Sequence, residues 1–382
     1  MISEVHTHPQ NAGNRQYIYH ECCFMKSMGW QIDYLYWGSR LDANVDEMKT
    51  FFGEKNFHFV NLANRSIYSQ IKREIRNRLD KYGVSKLIAL KYEPDELFYE
   101  DIGRKVAELH QIYQYDIVWL QYYGQSKAFD YIDSRVLKVI DTHDKFANRN
   151  RKFQKKFKVP EYIYLSKKGE KKALSRADMV IAIQDYEKKY FERLLRGTNT
   201  IVKCIGMLAK INRVPQCNAK NYGFIGAGNV PNTVGVMWFI RNVLPIIKNS
   251  VPDSNFVLAG GVCNNIPKGN YYYMGTVDNI EDFYSNIIVA VNPIQIGTGL
   301  NIKSIEATSF LKPLVTTTIG SRGIENNEQF VIGDTPSQMA DLIITLLCDE
   351  EKRTRMSVAA EEFINMYNDN SRRVFNEIGN LL

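Results

Sequence analysis

The residues best suited to chemistry stand together late in the chain, in Gly297-Thr298-Gly299-Leu300-Asn301-Ile302-Lys303-Ser304-Ile305-Glu306. Two glycines two apart let the backbone approach an anion without a Cβ in the way. A helix starting near Asn301 would aim its free N–H groups and the positive end of its dipole at the same spot. Asn301 reads as the N-cap and Lys303 supplies a point charge for phosphate. Glu306, one turn further on, has two oxygens to accept hydrogen bonds from neighbouring ribose hydroxyls. The combination suits a nucleotide diphosphate; as a bare pattern, Gly-x-Gly is equally a tight strand-to-helix bend.

Such a turn needs a strand before it and a sheet around it. Apolar runs alternate with helical patterns along most of the sequence, which implies an α/β fold with parallel sheets. Strands are expected at Ile2 to Thr7, Gln31 to Trp37, Ile117 to Gln121, Val136 to Asp141 and Met179 to Ile183, with helices from Arg15 to Met28 and Gly103 to Tyr113. A second series starts with the strand Tyr222 to Gly226. It continues with one amphipathic helix from Val234 to Lys248, strands at Asn255 to Gly260 and Ile287 to Val291, a helix from Ile302 to Phe310 and a strand at Pro313 to Thr317. Helical patterning resumes from Ser337 to Cys348 and from Glu351 onward. The stretch from Lys203 to Asn221 lacks any sustained period and reads as a connector. At 382 residues the chain exceeds what one core usually supports. The division expected is 1–206, 207–365 and a C-terminal helix at 366–382 that packs back on the first domain.

Apolar residues are 45% and charged residues 24% of the chain, a globular balance that excludes long disordered tracts. No run approaches an apolar membrane span and the N-terminus lacks the layout of a signal peptide, so a cytoplasmic location is expected. Six scattered cysteines suggest neither a disulfide framework nor a zinc site, and read as reduced, mostly core thiols. Charge is uneven: Arg135 to Arg176 holds 14 Lys or Arg against four acids in a chain of net charge +7. A concentrated positive face attracts polyanions, pyrophosphates or anionic membranes, or is simply a solvated surface.

Val291-Asn292-Pro293 through Glu306-Ala307, followed by Lys312 to Thr317, resembles the signature of the retaining glycosyltransferases called group 1 or family 4. Gly223-Phe224-Ile225-Gly226 with Pro231-Asn232 is similar to that family's opening strand and helix of the nucleotide domain. Tyr273-Met274-Gly275-Thr276-Val277 resembles its base-contacting stretch, Asn11-Ala12-Gly13-Asn14-Arg15 its first glycine loop, and Asp141-Thr142-His143-Asp144 its strand-end His-Asp. The resemblance implies a GT-B fold, two Rossmann-like domains facing a cleft. It implies donor binding by Gly13, Asn14, Arg15, Gly226, Val277, Gly297 to Asn301, Lys303 and Glu306, with His143, Asp144 and Glu306 as catalytic residues. Many members carry two glutamates seven residues apart; here Thr298 holds the first position, as in a subgroup with a Gly/Thr-rich loop, and the donor sugar is left open.

The implied reaction is sugar transfer from a UDP- or GDP-sugar with retention of configuration. Backbone N–H groups, Lys303 and Arg15 would meet the charge growing on the leaving phosphate, without a metal or other cofactor. His143 would position the donor and Asp144 orient the histidine or the acceptor; an inverting reaction would use the same two residues. The basic stretch with Arg149, Arg151, Lys152, Lys155 and Lys156, interleaved with Phe153 and Phe157, suits a glycan or lipid-linked acceptor at the inner face of an anionic membrane, as in surface-polysaccharide synthesis. It equally suits a nucleic-acid backbone, as a transferase acting on modified DNA bases would need. A GT-B-like module that binds sugar nucleotide without turnover is kept as an alternative, motivated by Thr298 in place of a glutamate.

Overall fold

The computed structural model describes residues 1–10, 13–39, 43–60, 62, 93–147, 165–277, 279–296 and 300–382. They form two units: one takes in Met1–Gln10, Asn14–Gly206 and Val374–Leu382, the other Asn11–Gly13 and Met207–Arg373.

The first unit contains β1 (Ile2–Ser3), α1 (Gly13–Ser27), β2 (Tyr34–Tyr36), α2 (Val45–Phe52), β3 (Phe57–Phe59), α3 (Glu100–Tyr113), β4 (Ile117–Gln121), β5 (Leu137–Asp141), α4 (Lys167–Leu174), β6 (Met179–Ala182), α5 (Asp185–Leu194) and β7 (Ile201–Cys204). Its sheet runs β3-β2-β1-β4-β5-β6-β7 with parallel pairings throughout. Parallel sheets are covered on both faces, and Val118, Trp119, Leu120, Val139 and Ile140 are accordingly all buried. The order reverses between β1 and β4, so the crevice where ligands bind in such sheets lies beyond their carboxyl ends. Gln121 and Asp141 stand side by side there, as register partners at the ends of β4 and β5.

The second unit contains β8 (Asn221–Ile225), α6 (Val230–Asn242), α7 (Leu244–Ser250), β9 (Asn255–Ala259), β10 (Tyr272–Gly275), α8 (Ile280–Ser285), β11 (Val289–Asn292), α9 (Ile302–Ser309), β12 (Leu314–Thr316), β13 (Phe330–Ile332) and α10 (Pro336–Cys348). The six strands pair in the order β10-β9-β8-β11-β12-β13, again all parallel. Here the reversal falls between β8 and β11. A 30-residue helix, α11 (Glu350–Gly379), ends the chain. Its last turns belong to the first unit, where Phe375 packs against Phe24, Trp30 and Trp119.

Four expectations change. The single helix from Val234 to Lys248 is two, α6 and α7, because Pro245 has no N–H to donate and sits in the first turn of the second. The 21 residues Val230–Ser250 are long and apolar enough by composition to cross a membrane. Their apolar side chains Val236, Phe239, Val243, Leu244 and Ile247 instead fill the core of this unit. The cysteines are free, but only Cys22 and Cys263 are buried. Ile201–Cys204, inside and before the expected connector, is a strand because it completes the sheet edge beside β6.

Candidate functional site

In the second unit the end of β11 stands at the reversal point, and α9 follows it in the chain. Asn292, buried at the end of β11, donates from Nδ2 to Asn301 Oδ1 at 2.9 Å and to Ser304 Oγ at 2.8 Å. Ser304 Oγ in turn donates to the carbonyl of Gly320 at 2.7 Å. These bonds fix the start of α9 against the sheet. They also alter the expected role of Asn301: it stands at the N-cap position, but its side chain makes no capping bond. The amide of Asn292 engages it instead, and the first-turn N–H groups of α9 receive no side-chain cap from it.

Lys303, half-buried in that first turn, runs back across the end of β8. Its Nζ lies 5.8 Å from the centre of the Phe224 ring. A Cβ built on Gly226 would come within 2.9 Å of Lys303 Cε, so glycine at this position leaves room for the lysine chain. Burial pulls the Lys303 ammonium below its ordinary range, and the charge of Glu306 partly opposes that shift. Glu306 is only 8% exposed, and its Oε1 accepts a hydrogen bond from the buried Tyr284 hydroxyl at 3.0 Å. Tyr284 is itself stacked on Phe310 with centroids 4.1 Å apart. One of the two carboxylate oxygens is therefore held by a fixed donor. Leu300 precedes the helix, and Val277 follows β10, both half-buried. Gly297, Thr298 and Gly299 lie outside the described residues.

In the first unit β5 delivers Asp141-Thr142-His143-Asp144. His143 adopts φ 55°, a left-handed conformation that turns its ring back over the sheet end. The ring stacks on Tyr122 with centroids 4.3 Å apart and planes 16° from parallel, and meets the edge of Tyr17 at 4.8 Å. Asn14, one residue into α1, donates to the Tyr122 hydroxyl at 3.4 Å. Two of the expected residues, Asn14 and His143, are thus brought together through Tyr122. Gly13 opens α1 and Arg15 follows on its first turn.

The group that holds the imidazole is Gln121. Its Nε2 donates to Glu21 Oε2 at 2.7 Å, which turns its Oε1 toward His143 Nε2 and makes that ring nitrogen the protonated one. Glu21, Gln121 and Asp141 are all buried. Burial, reinforced by the charge of Asp141 and a hydrogen bond to it, raises the Glu21 carboxyl well above the usual carboxylate range. Burial likewise lowers the His143 pKa, against the pull of Asp141 and Asp144. Burial thus favours the uncharged form of both the histidine and the carboxyl behind Gln121. Asp144 turns elsewhere: its Oδ1 accepts from the Lys145 N–H at 2.7 Å, and its charge, after burial, helps push Glu187 up to about 8. Orienting the histidine therefore falls to Gln121, and Asp144 is tied to Glu187. Gln121, Glu21 and Tyr284 carry no local motif; only a polar residue at the end of an apolar strand or on a buried helix face hints at them.

Arg149, Arg151, Lys152, Lys155 and Lys156 lie outside the described residues. Among the described residues, no three His, Cys, Asp or Glu side chains come together as metal ligands would.

Residues 219–349 match the family of group 1 glycosyl transferases. An uncharacterised 44.6 kDa protein from the cps region of Klebsiella pneumoniae is 27% identical over 174 residues, a stretch covering 41% of this chain and 45% of that protein. This chain therefore matches less than half the length of that curated relative. Sucrose-phosphate synthase from Thermosynechococcus elongatus has a similar structure, with a TM-score of 0.66 at 12% identity over 100% of this chain and 98% of the other. Anabaena HepE, solved with UDP and glucose, gives 0.60 at 12% identity over 99% and 98%. S. aureus TarM, solved with fondaparinux, α-GlcNAc-glycerol and UDP, gives 0.55 at 16% identity over 74% of this chain and 59% of the other. Residues 219–349 thus carry a group 1 glycosyltransferase domain, and the two units have the GT-B fold.

Proposed function

We propose that this protein transfers a sugar from a UDP-sugar to a glycan or lipid-linked saccharide in surface-polysaccharide synthesis. The observation that carries the reading is the convergence of Lys303, Gly226 and Glu306 at the reversal point of a sheet matching the group 1 domain. A diphosphate there would meet a cation and the open start of α9, and the ribose would meet Glu306. UDP in two of the similar structures supports the choice of uridine over guanosine. The cps-region relative supports a polysaccharide product.

In this mechanism Lys303 and the α9 N–H groups take up charge on the departing phosphate, and no metal is needed for that step. Configuration is retained, with the leaving phosphate taking the acceptor proton on the same face. His143, neutral and held through Nε2 by Gln121, acts as a fixed hydrogen-bonding wall rather than a base that must gain a proton. We place the enzyme in the cytoplasm, with the basic stretch from Arg135 to Arg176 facing an anionic membrane that carries the lipid-linked acceptor.

The decisive experiment incubates the protein with UDP- and GDP-sugars, with and without EDTA, and follows donor loss and product anomer by NMR. Turnover of a UDP-sugar that survives EDTA, with the anomeric configuration kept, is expected. Binding without turnover would mean a sugar-nucleotide-binding module, and loss of rate in EDTA would overturn the metal-free step.

A further inference from the structure

The first unit holds a second concavity, of about 640 Å³, at the opposite end of its sheet from His143. It opens beside the amino ends of β1, β2, β3 and β4, where Ile2, Asp33, His58 and Ile117 all reach its wall. That volume falls within the range of small-molecule sites, roughly 300–1,000 Å³. None of the residues assigned above to donor, histidine or phosphate chemistry lines it.

Its walls combine ring faces with hydrogen-bonding groups. Tyr113 and Tyr115 lie nearly parallel with centroids 6.0 Å apart, Tyr113 being 48% exposed, and Trp30 stands half-buried beside them. Asp33 Oδ2 accepts from the Tyr115 hydroxyl at 2.5 Å and pairs with His58 Nε2 at 3.3 Å, so the carboxylate is held in place. Asn56 and Gln114 add amides to the lining. Charge around the rim is mixed, Lys55 against Asp116, so neither an anion nor a cation is favoured. Trp119, which forms part of the wall, buries an indole nitrogen with no protein partner.

A neutral ligand with apolar faces and a ring of donors and acceptors meets all of these features. A pyranose has that make-up: its C–H faces stack on tyrosine and tryptophan, and its paired hydroxyls match carboxylate and amide groups. We propose that this cavity is a saccharide-binding subsite, separate from the donor site and able to hold part of a glycan chain.

The test is a titration followed by intrinsic tryptophan fluorescence, since Trp30 and Trp119 line the cavity. The probes are the β-1,4-linked trisaccharides of N-acetylglucosamine and of glucose, added with and without saturating UDP. We expect a saturable change with at least one trisaccharide, in the presence of UDP as in its absence and in Glu306→Ala as in the unaltered protein. Tyr113→Ala, at an exposed ring, should weaken binding about 10-fold while leaving the melting temperature in place. The proposal fails if neither trisaccharide gives a saturable change, if UDP competes the signal away, or if Tyr113→Ala binds as before. It fails equally if uridine alone, and not the sugars, gives a change that depends on Tyr113. Because the readout is binding, failure of the donor-site reading would leave this result standing, and the reverse.

Discussion

The second unit brings a cation, Lys303, and a carboxylate, Glu306, to the start of one helix, whereas the first unit sets His143 against a buried amide, Gln121, backed by a carboxyl, Glu21, that burial pushes up. Both sites sit where strand order reverses, so topology does not distinguish them. Solvation does. At the start of α9 the positive end of the helix dipole, without a side-chain cap, and the half-buried Lys303 leave positive potential. Around His143, burial raises Glu21 and Glu187 and lowers the histidine, removing charge from a region where unpaired charge would be costly. In the proposed reading one site receives an anion and the other offers fixed hydrogen-bonding groups.

The largest test of that contrast is Glu306→Ala. Removing the carboxylate should lower kcat/KM about 100-fold or more and weaken UDP binding about 10-fold, measured by initial rates and calorimetry. Unchanged UDP affinity would sink the ribose assignment. Tyr284→Phe removes only the fixed donor and should cost less. Lys303→Met comes next: it keeps the length of the side chain and discards the charge, so kcat/KM should drop about 10- to 100-fold, with affinity for uridine less affected than affinity for UDP. An equal loss for both ligands would place Lys303 away from the phosphates.

Gln121→Glu probes the neutral side of the comparison. A carboxylate facing the imidazole favours its charged form, so the His143 inflection should move up from its depressed position, as followed by NMR titration of the ring, with rates falling about 10-fold. No movement would mean that Gln121 does not hold the ring.

Glu187→Gln is the smallest expected effect and is read as stability. Glu187 is held up to about 8 in the folded chain, against an ordinary 4.5 for a glutamate carboxyl. Its folded form therefore keeps a proton that the unfolded chain has lost. The associated stability is complete below pH 4.5 and disappears as pH rises through about 8. Between pH 5 and 9 the melting temperature of the unaltered protein should fall more than that of Glu187→Gln, by about 2–4 °C for each kcal/mol involved. Parallel curves would mean that Glu187 is ionised throughout.

Much of the second unit was legible because its signals are local. The runs at Asn255 to Gly260 and Pro313 to Thr317 are apolar over the length of a strand, and β9 and β12 fall inside them. Lys303 and Glu306 stand one helical turn apart, so their shared face follows from the 3.6-residue repeat. The first unit was less legible. Tyr34–Tyr36 falls inside the expected run Gln31 to Trp37, but Phe57–Phe59 is a three-residue strand that its pairing, rather than its composition, makes a strand. The break between α6 and α7 was missed because the apolar period runs through Pro245 unbroken.

Sequence alone determined the alternation of strands and helices and the placing of a lysine and a glutamate on the helix after β11, since each depends on neighbours a few residues away. Tertiary structure decided which carboxyl groups burial pushes up and which amide holds the histidine. Glu21 and Gln121 are 100 residues apart and Tyr284 and Glu306 are 22 apart. Their chemistry arises from burial and from partners on other strands and helices, and neither is encoded in the spacing of the residues themselves.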